Sequence, residues 1–215
     1  IEIPDNESYF DLPYALFASE EEVQLFCCQA DVKGIVYGNE TFRFQGSTLN
    51  LLGTVYSAGK LQIAGGDLHI AEKIENASQI ELPNYMTDIL DNMKQNTGIE
   101  EIAEYNMANV TNPTICKTTT RAWCNRVNIF ADLVSNGDIS FNANVMTLGY
   151  KDPVVIASEN GDITIQATNV NGNGLIYAPN GTVTINVCDF DYKGSIIAKK
   201  INIQATYYQH KIEDK

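Results

Sequence analysis

Asp189 and Asp191 are the first residues whose type and spacing invite chemistry. They lie two apart, which puts both on one face of a strand. Paired carboxylates act as acid and base in glycan cleavage, commonly with His, Arg or Lys beside them. The chain has two histidines, His69 and His210, and neither recurs with a carboxylate. Asp162 belongs to a neighbouring repeat but to a different column. The expectation is a chain with no catalytic residues. A degenerate polysaccharide-active enzyme is the third-ranked reading.

Calcium is the next chemistry to weigh. Asp138 and Asp162 each follow Asn-Gly and offer oxygens at a turn. The stretch GGDLHI, Gly65 to Ile70, has the form of one nonapeptide of a calcium-binding β-roll, but that motif works in tandem and here occurs once. Turn chemistry accounts for the two aspartates without an ion. No cofactor is expected, with calcium as the alternative. Five cysteines, Cys27, Cys28, Cys116, Cys124 and Cys188, include no CxxC pair, so no metal site is expected. A Cys116–Cys124 disulfide and five free thiols both stay open. Phosphate-loop, dinucleotide and nucleophile-elbow motifs are absent.

The residues singled out for binding are aromatic. Val36, Val55, Ile176 and Ile196 share an apolar column that must face inward, so the next residue faces outward. Those residues are Tyr37, Tyr56, Tyr177 and Ile197, with Ala18 and Ala157 in the same column. An open tyrosine strip suits a sugar chain or a flat protein surface. The competing outcome is an inserted helix, through Ile89, Leu90 and Met93, lying over the rings.

Repeats supply the elements that position these residues. Residues 160–198 fall on themselves at a shift of twenty: Asn160-Gly161-Asp162-Ile163 lands on Asn180-Gly181-Thr182-Val183, and Gly174 lands on Gly194. A shift of nineteen aligns four columns in the N-terminal third: Phe17/Val36/Val55/Ile74, Val23/Phe42/Leu61, Leu25/Phe44/Ile63 and Val32/Leu51/Ile70. Asn136-Gly137-Asp138-Ile139 precedes its counterpart by twenty-four, with an extra loop at residues 150–153. Short β-branched strands between Asn-Gly turns at such a period mark a solenoid. The fold class expected is mainly β: a right-handed parallel β-helix with coils of 19–24 residues and a helical and loop insertion on its flank.

One domain is drawn, with a lead-in at 1–13, N-terminal coils at 14–75, the insertion at 76–124, C-terminal coils at 125–206 and a tail at 207–215. Within the insertion, Asn84 caps a helix that Gly98 ends, and a second helical stretch covers about Ile99 to Met107. The last strand is Ile201 to Ile203. The net charge of −13 argues against nucleic acid and anionic membranes as partners. No apolar run approaches membrane-spanning length. No signal peptide is visible at Ile1, and the chain reads as a domain excised from a larger protein.

Four phrases carry a resemblance: PYALFAS (Pro13 to Ser19), GTVYSAG (Gly53 to Gly59), NGLIYAPNGTVTI (Asn173 to Ile185) and KGSIIAKKINI (Lys193 to Ile203). Outside the insertion, the chain resembles β-helix modules of clostridial and related Firmicutes cell-surface and secreted proteins. Such modules often accompany von Willebrand A-type or pilin-like segments. The resemblance implies an extracellular, cell-surface location and adhesion, and brings no catalytic residues. The function expected is a non-enzymatic surface module binding a glycan or a surface or matrix protein through one face, with Tyr37, Tyr56 and Tyr177 as the contact column. The alternative is a structural spacer or self-assembling β-helix, which apolar columns left uncapped at Phe17 or Ile203 would favour.

Overall fold

The computed structural model describes residues 10, 12–95, 100–103, 105–106, 108–149 and 151–212. Strands dominate. In chain order they are β1 (Tyr14–Ala18), β2 (Val23–Lys33), β3 (Ile35–Gly38), β4 (Phe42–Ser57), β5 (Leu61–Ala64) and β6 (Asp67–Glu75). After helix α1 (Met86–Gln95) come β7 (Glu100–Ile102), β8 (Tyr105–Asn106), β9 (Asn109–Val110), β10 (Thr114–Cys116) and β11 (Thr120–Ile129). The series closes with β12 (Leu133–Ser135), β13 (Ile139–Leu148), β14 (Val154–Ser158) and the long, bent β15 (Ile163–Lys211).

The strand pairings among the described residues are all parallel. They fall into three ladders, because each bend of the chain starts a new ladder and each repeat returns to the first. Ladder one runs β7, β10, β12, β14, residues 174–178 and 194–198 of β15, then β1, β3, the end of β4 and the end of β6. Ladder two carries residues 120–124, 139–143, 163–167, 201–205, 23–27, 42–46 and 61–64. Ladder three carries residues 126–129, 145–148, 169–172, 189–192, 207–211, 29–33, 48–51 and 67–70. The path β1–β3–β4–β2–β15 returns to β1 through Leu16↔Ile196, closing a ring of five parallel strands to which the others attach.

The first strands stack on the last. Val23 and Leu25 of β2 oppose Ile201 and Ile203 of β15, while Phe42 and Phe44 flank β2 on its other side. Matching apolar columns make this junction as continuous as one between sequence neighbours. Each fully buried aliphatic side chain in these columns stabilises the stack by about 1.5–3 kcal/mol. Phe17 and Ile203 are therefore buried, not uncapped ends. The open end beyond β4 is formed by β5 and β6, where Leu61, Ile63 and Ile70 are half-buried.

The corner from ladder three to ladder one depends on glycine. Gly34, Gly174 and Gly194 have φ of 133°, 138° and 131°, where only glycine is at ease. A Cβ on Gly194 would sit 1.9 Å from the Gly174 carbonyl oxygen. The stacked corners thus leave no room for a side chain.

Several expectations need correction. Strand pairing resumes at Glu100, so the second helical stretch is β7 and β8; Ile99, Met107 and the helix-ending Gly98 lie outside the described residues. Phe17 opposes Tyr37, and Leu16 takes the inward place beside Val36. Ile74 opposes Tyr56 because the β4–β6 register shifts between Leu51 and Thr54. Both belong to the outward column, since the local repeat departs from nineteen. The last strand continues from Ile203 to Lys211, with Tyr208 and His210 buried in it. The stretch from Asn109 to Thr120, whose Thr, Asn and Pro113 content predicts a loop, holds two short strands: β9 pairs with β11, and β10 pairs with β7 and β12.

Candidate functional site

The tyrosine column forms as its spacing requires, and then is covered. Phe17 stacks on Tyr37 at 5.2 Å between ring centroids, and Tyr37 on Tyr56 at 5.6 Å. Tyr177 lies farther along the same ladder, opposite Ala157. Tyr37 is 0% and Tyr177 2% exposed; Tyr56 is half-buried. The cover is the segment from Ala77 through α1, whose Met86, Ile89 and Met93 are buried and whose Leu90 packs alongside. Tyr37, Tyr56 and Tyr177 are thus an inner layer of a second core, which corrects the open-strip reading. The physical reason is mass balance of apolar surface: an amphipathic helix and an aromatic strip each lose more water contact together than apart.

Polar groups register the cover. The Tyr37 hydroxyl donates to the Ser78 carbonyl. Buried Asn39 donates from Nδ2 to the Ser19 and Ile80 carbonyls at 2.6 and 2.7 Å, and its Oδ1 accepts from the Ile80 N–H at 3.0 Å. The Tyr177 hydroxyl accepts from the Tyr85 N–H at 3.1 Å and donates to Asn84 Oδ1 at 3.3 Å. Asn84 Oδ1 also accepts from the Met86 N–H at 3.0 Å, the expected helix cap. Burial pushes the Tyr177 hydroxyl up to about 12.

The turn aspartates are engaged in the stack. Asp138 Oδ1 accepts from the Asp162 N–H at 2.9 Å, and Asp162 Oδ1 accepts from the Thr182 N–H at 2.7 Å. Turn chemistry thus accounts for one oxygen of each. His69 pairs with Asp67 at 3.3 Å on an exposed stretch of β6. His210 is buried: Nδ1 accepts from the Tyr208 hydroxyl at 2.6 Å, and Nε2 donates to the Gly194 carbonyl at 2.9 Å. All five cysteines are free thiols, so Cys116 and Cys124 are not joined.

The open surface with binding geometry is the outer face of ladder three. Alternation along β15 sends Phe190, Tyr192, Tyr208 and His210 inward and Asp189, Asp191, Tyr207 and Gln209 outward. Phe190 and Tyr208 stack at 5.1 Å beneath, which holds the outward residues in register. Above them runs a groove of about 440 Å³ whose polar lining includes Asn169, Asn171, Asp189, Asp191 and Gln209, with Tyr207 54% exposed at its side. With its amide nitrogen turned toward Asp189, Asn169 donates to Oδ2 at 2.8 Å. Beyond Asp191 and Gln209 a smaller depression of about 180 Å³ adds Asp31, Lys33, Asn50 and Lys211. Asp31 accepts from Gln29 at 2.9 Å and Asn50 at 3.2 Å. Asp189 and Asp191 do share a face, as their spacing requires, and the depression brings Asp191 together with lysines that no sequence repeat links to it.

The sequence reading missed Tyr207, Asn169 and Asn171. The signal was present: YYQHK, Tyr207 to Lys211, alternates like a strand. No family model, curated protein or solved structure matches the chain. Among the described residues, no helix is long and apolar enough to cross a membrane.

Proposed function

We propose that this chain is a non-enzymatic extracellular surface module that binds a glycan chain along the outer face of ladder three. The observation that carries the reading is the groove itself, with amides and carboxylates converging on it and a half-exposed tyrosine beside it. Amide and carboxylate groups match sugar hydroxyls in donor and acceptor, and the tyrosine ring suits the apolar face of a pyranose. The carboxylates disfavour a polyanion, so the fitting ligand is neutral or basic. The finer fold belongs to the same proposal: the three ladders are the faces of a right-handed parallel β-helix. All-parallel pairing, returns at |i−j| of 19, 20 and 24, and the handedness rule for parallel crossovers support it. The resemblance to Firmicutes surface modules supports the location.

A specific observation favours a second reading. Asp31 and Asp191 share the smaller depression with Lys33 and Lys211, and carboxylates beside a basic group suit a polysaccharide-cleaving site. One array of glycans and matrix proteins, followed by assays of the binding glycans for reducing-sugar release or new unsaturated ends, separates the readings. The binding-module reading expects glycan capture that Tyr207→Ala and Asn171→Ala weaken, with no cleavage. Capture of matrix proteins alone would refute it. Cleavage abolished by Asp191→Asn would replace it with the enzyme reading.

A further inference from the structure

Neither core holds the chain's tryptophan. Trp123 is 74% exposed, more than any other large apolar side chain among the described residues. It stands on the outer face of ladder two, opposite Asn142, and the next outward position along that ladder is Gln166. A largely exposed indole offers a broad apolar face with one N–H donor at its edge, a side chain enriched where partners bind. Its inward neighbour Ala122 is buried opposite Phe141, so the backbone beneath the ring is anchored.

The surroundings of the ring are amides. A shallow depression of about 410 Å³ is lined by Trp123, Cys124, Asn125, Asn142, Ala143 and Asn144. Asn144 donates from Nδ2 to Asn125 Oδ1 at 2.6 Å, and Asn142 from Nδ2 to Gln166 Oε1 at 3.3 Å. These bonds hold the amides in fixed orientations and leave further donor and acceptor positions on each. A ring beside oriented amides is the same chemistry as Tyr207 beside Asn169 and Asn171, on the adjoining face. The two places are continuous in the chain: Asn144 lines the Trp123 depression and Val145 begins the ladder-three groove.

We propose that Trp123 with Asn125, Asn142 and Asn144 is a second saccharide-stacking subsite, and that one extended glycan runs from Tyr207 along the groove and over the Asn144–Val145 corner onto Trp123. This rests on the glycan reading of the groove and adds to it the ligand's form: a long, linear, neutral chain of equatorially linked pyranoses. Such a chain offers a flat CH face at each sugar, and its repeat is close to the spacing of adjacent strands, about 4.8 Å. Successive layers of the stack between Trp123 and Tyr207 then meet successive sugars. Two subsites on one rigid scaffold raise the affinity for a chain that spans both and not for a chain that reaches only one.

Trp123 is the sole tryptophan in the chain, so its fluorescence reports this subsite directly. The test titrates the protein with β-1,4-linked glucose, xylose and N-acetylglucosamine oligomers of two lengths, disaccharide and hexasaccharide, by calorimetry and by emission. For the series that binds, the hexasaccharide should bind at least tenfold tighter than the disaccharide and shift the emission. Trp123→Ala should remove that length advantage, whereas Tyr207→Ala should weaken both lengths. Since Trp123 is exposed, its alanine variant should keep the parent melting temperature, which is checked alongside. Hexasaccharide binding with silent emission, or undiminished by Trp123→Ala, overturns the second subsite and leaves the groove reading standing. No binding by any series at either length removes both.

Discussion

Acid should loosen the junction where the two halves of the chain meet, and His210 is the reason. The ring is 2% exposed and sits on β15 opposite Val32 of β2. The groups that face it are Tyr208, Tyr192 and Phe190, with ring centroids 5.7, 5.4 and 6.5 Å away, and the Gly194 carbonyl. None of these is a carboxylate that would stabilise an imidazolium. Burial lowers the His210 pKa from 6.5 to about 4, against a smaller opposing effect of the Gly194 carbonyl. Below pH 6.5 the unfolded chain takes up a proton that the folded chain refuses. Stability is therefore fully present above pH 6.5 and is lost as pH falls toward 4. The shift is worth about 3 kcal/mol, a large share of the roughly 5–15 kcal/mol of an ordinary domain. Urea unfolding followed by far-ultraviolet circular dichroism at steps from pH 7.5 to 4 measures the slope. His210→Gln keeps an acceptor for Tyr208 and a donor for Gly194 but has no titration. The variant should start less stable and lose about 3 kcal/mol less over the window. Half-buried Asp132, whose carboxyl is held above its ordinary value by desolvation, acts in the opposite sense and equally in both proteins. Parallel stability curves for parent and variant would refute the assignment of His210 as a neutral core group.

Two substitutions test the inner and outer sides of ladder one. Val55→Asp places a carboxylate at a fully buried position opposite Val36; we expect a loss of about 4 kcal/mol or more, read as absent or aggregated protein on expression, and an unchanged melting temperature would show that this column is not core. Tyr56→Ala removes a half-buried ring stacked on Tyr37; differential scanning calorimetry should show a loss of about 2 kcal/mol, below the 3–5 kcal/mol of a fully buried aromatic, with glycan binding unaffected. Weakened binding at parent stability would restore the open tyrosine strip.

Much of the fold is written in apolar spacing. Val23/Phe42/Leu61 and Leu25/Phe44/Ile63 are real columns because a parallel ladder stacks like on like, and a repeat in sequence becomes a neighbour in space. Ile139 and Ile163 align across the long spacing for the same reason. Phe17 and Ile74 were misplaced by one residue because corner length and register shifts are set by backbone geometry, which apolar spacing does not encode. β7 and β8 are not legible as strands in the sequence because two- and three-residue strands are too short to show a period.

The residue pattern alone determined that the chain is mainly β, that its strands stack by repeat, and that the tyrosines of ladder one share a column facing away from the main core. Each of these follows from local periodicity. Only the tertiary structure decided that α1 covers the column, that β2 stacks on β15, and that Asp189, Asn169 and Tyr207 face one groove. These depend on where the chain returns after leaving the ladders. Residues 77–95 leave β6 at one end, and pairing resumes at β7, at the other end of the same ladder. A repeat specifies which strands fit together but not the order in which they stack, because every layer presents nearly the same apolar edge. The burial of the helix against Tyr37 and Tyr177 selects one order among those that the columns allow.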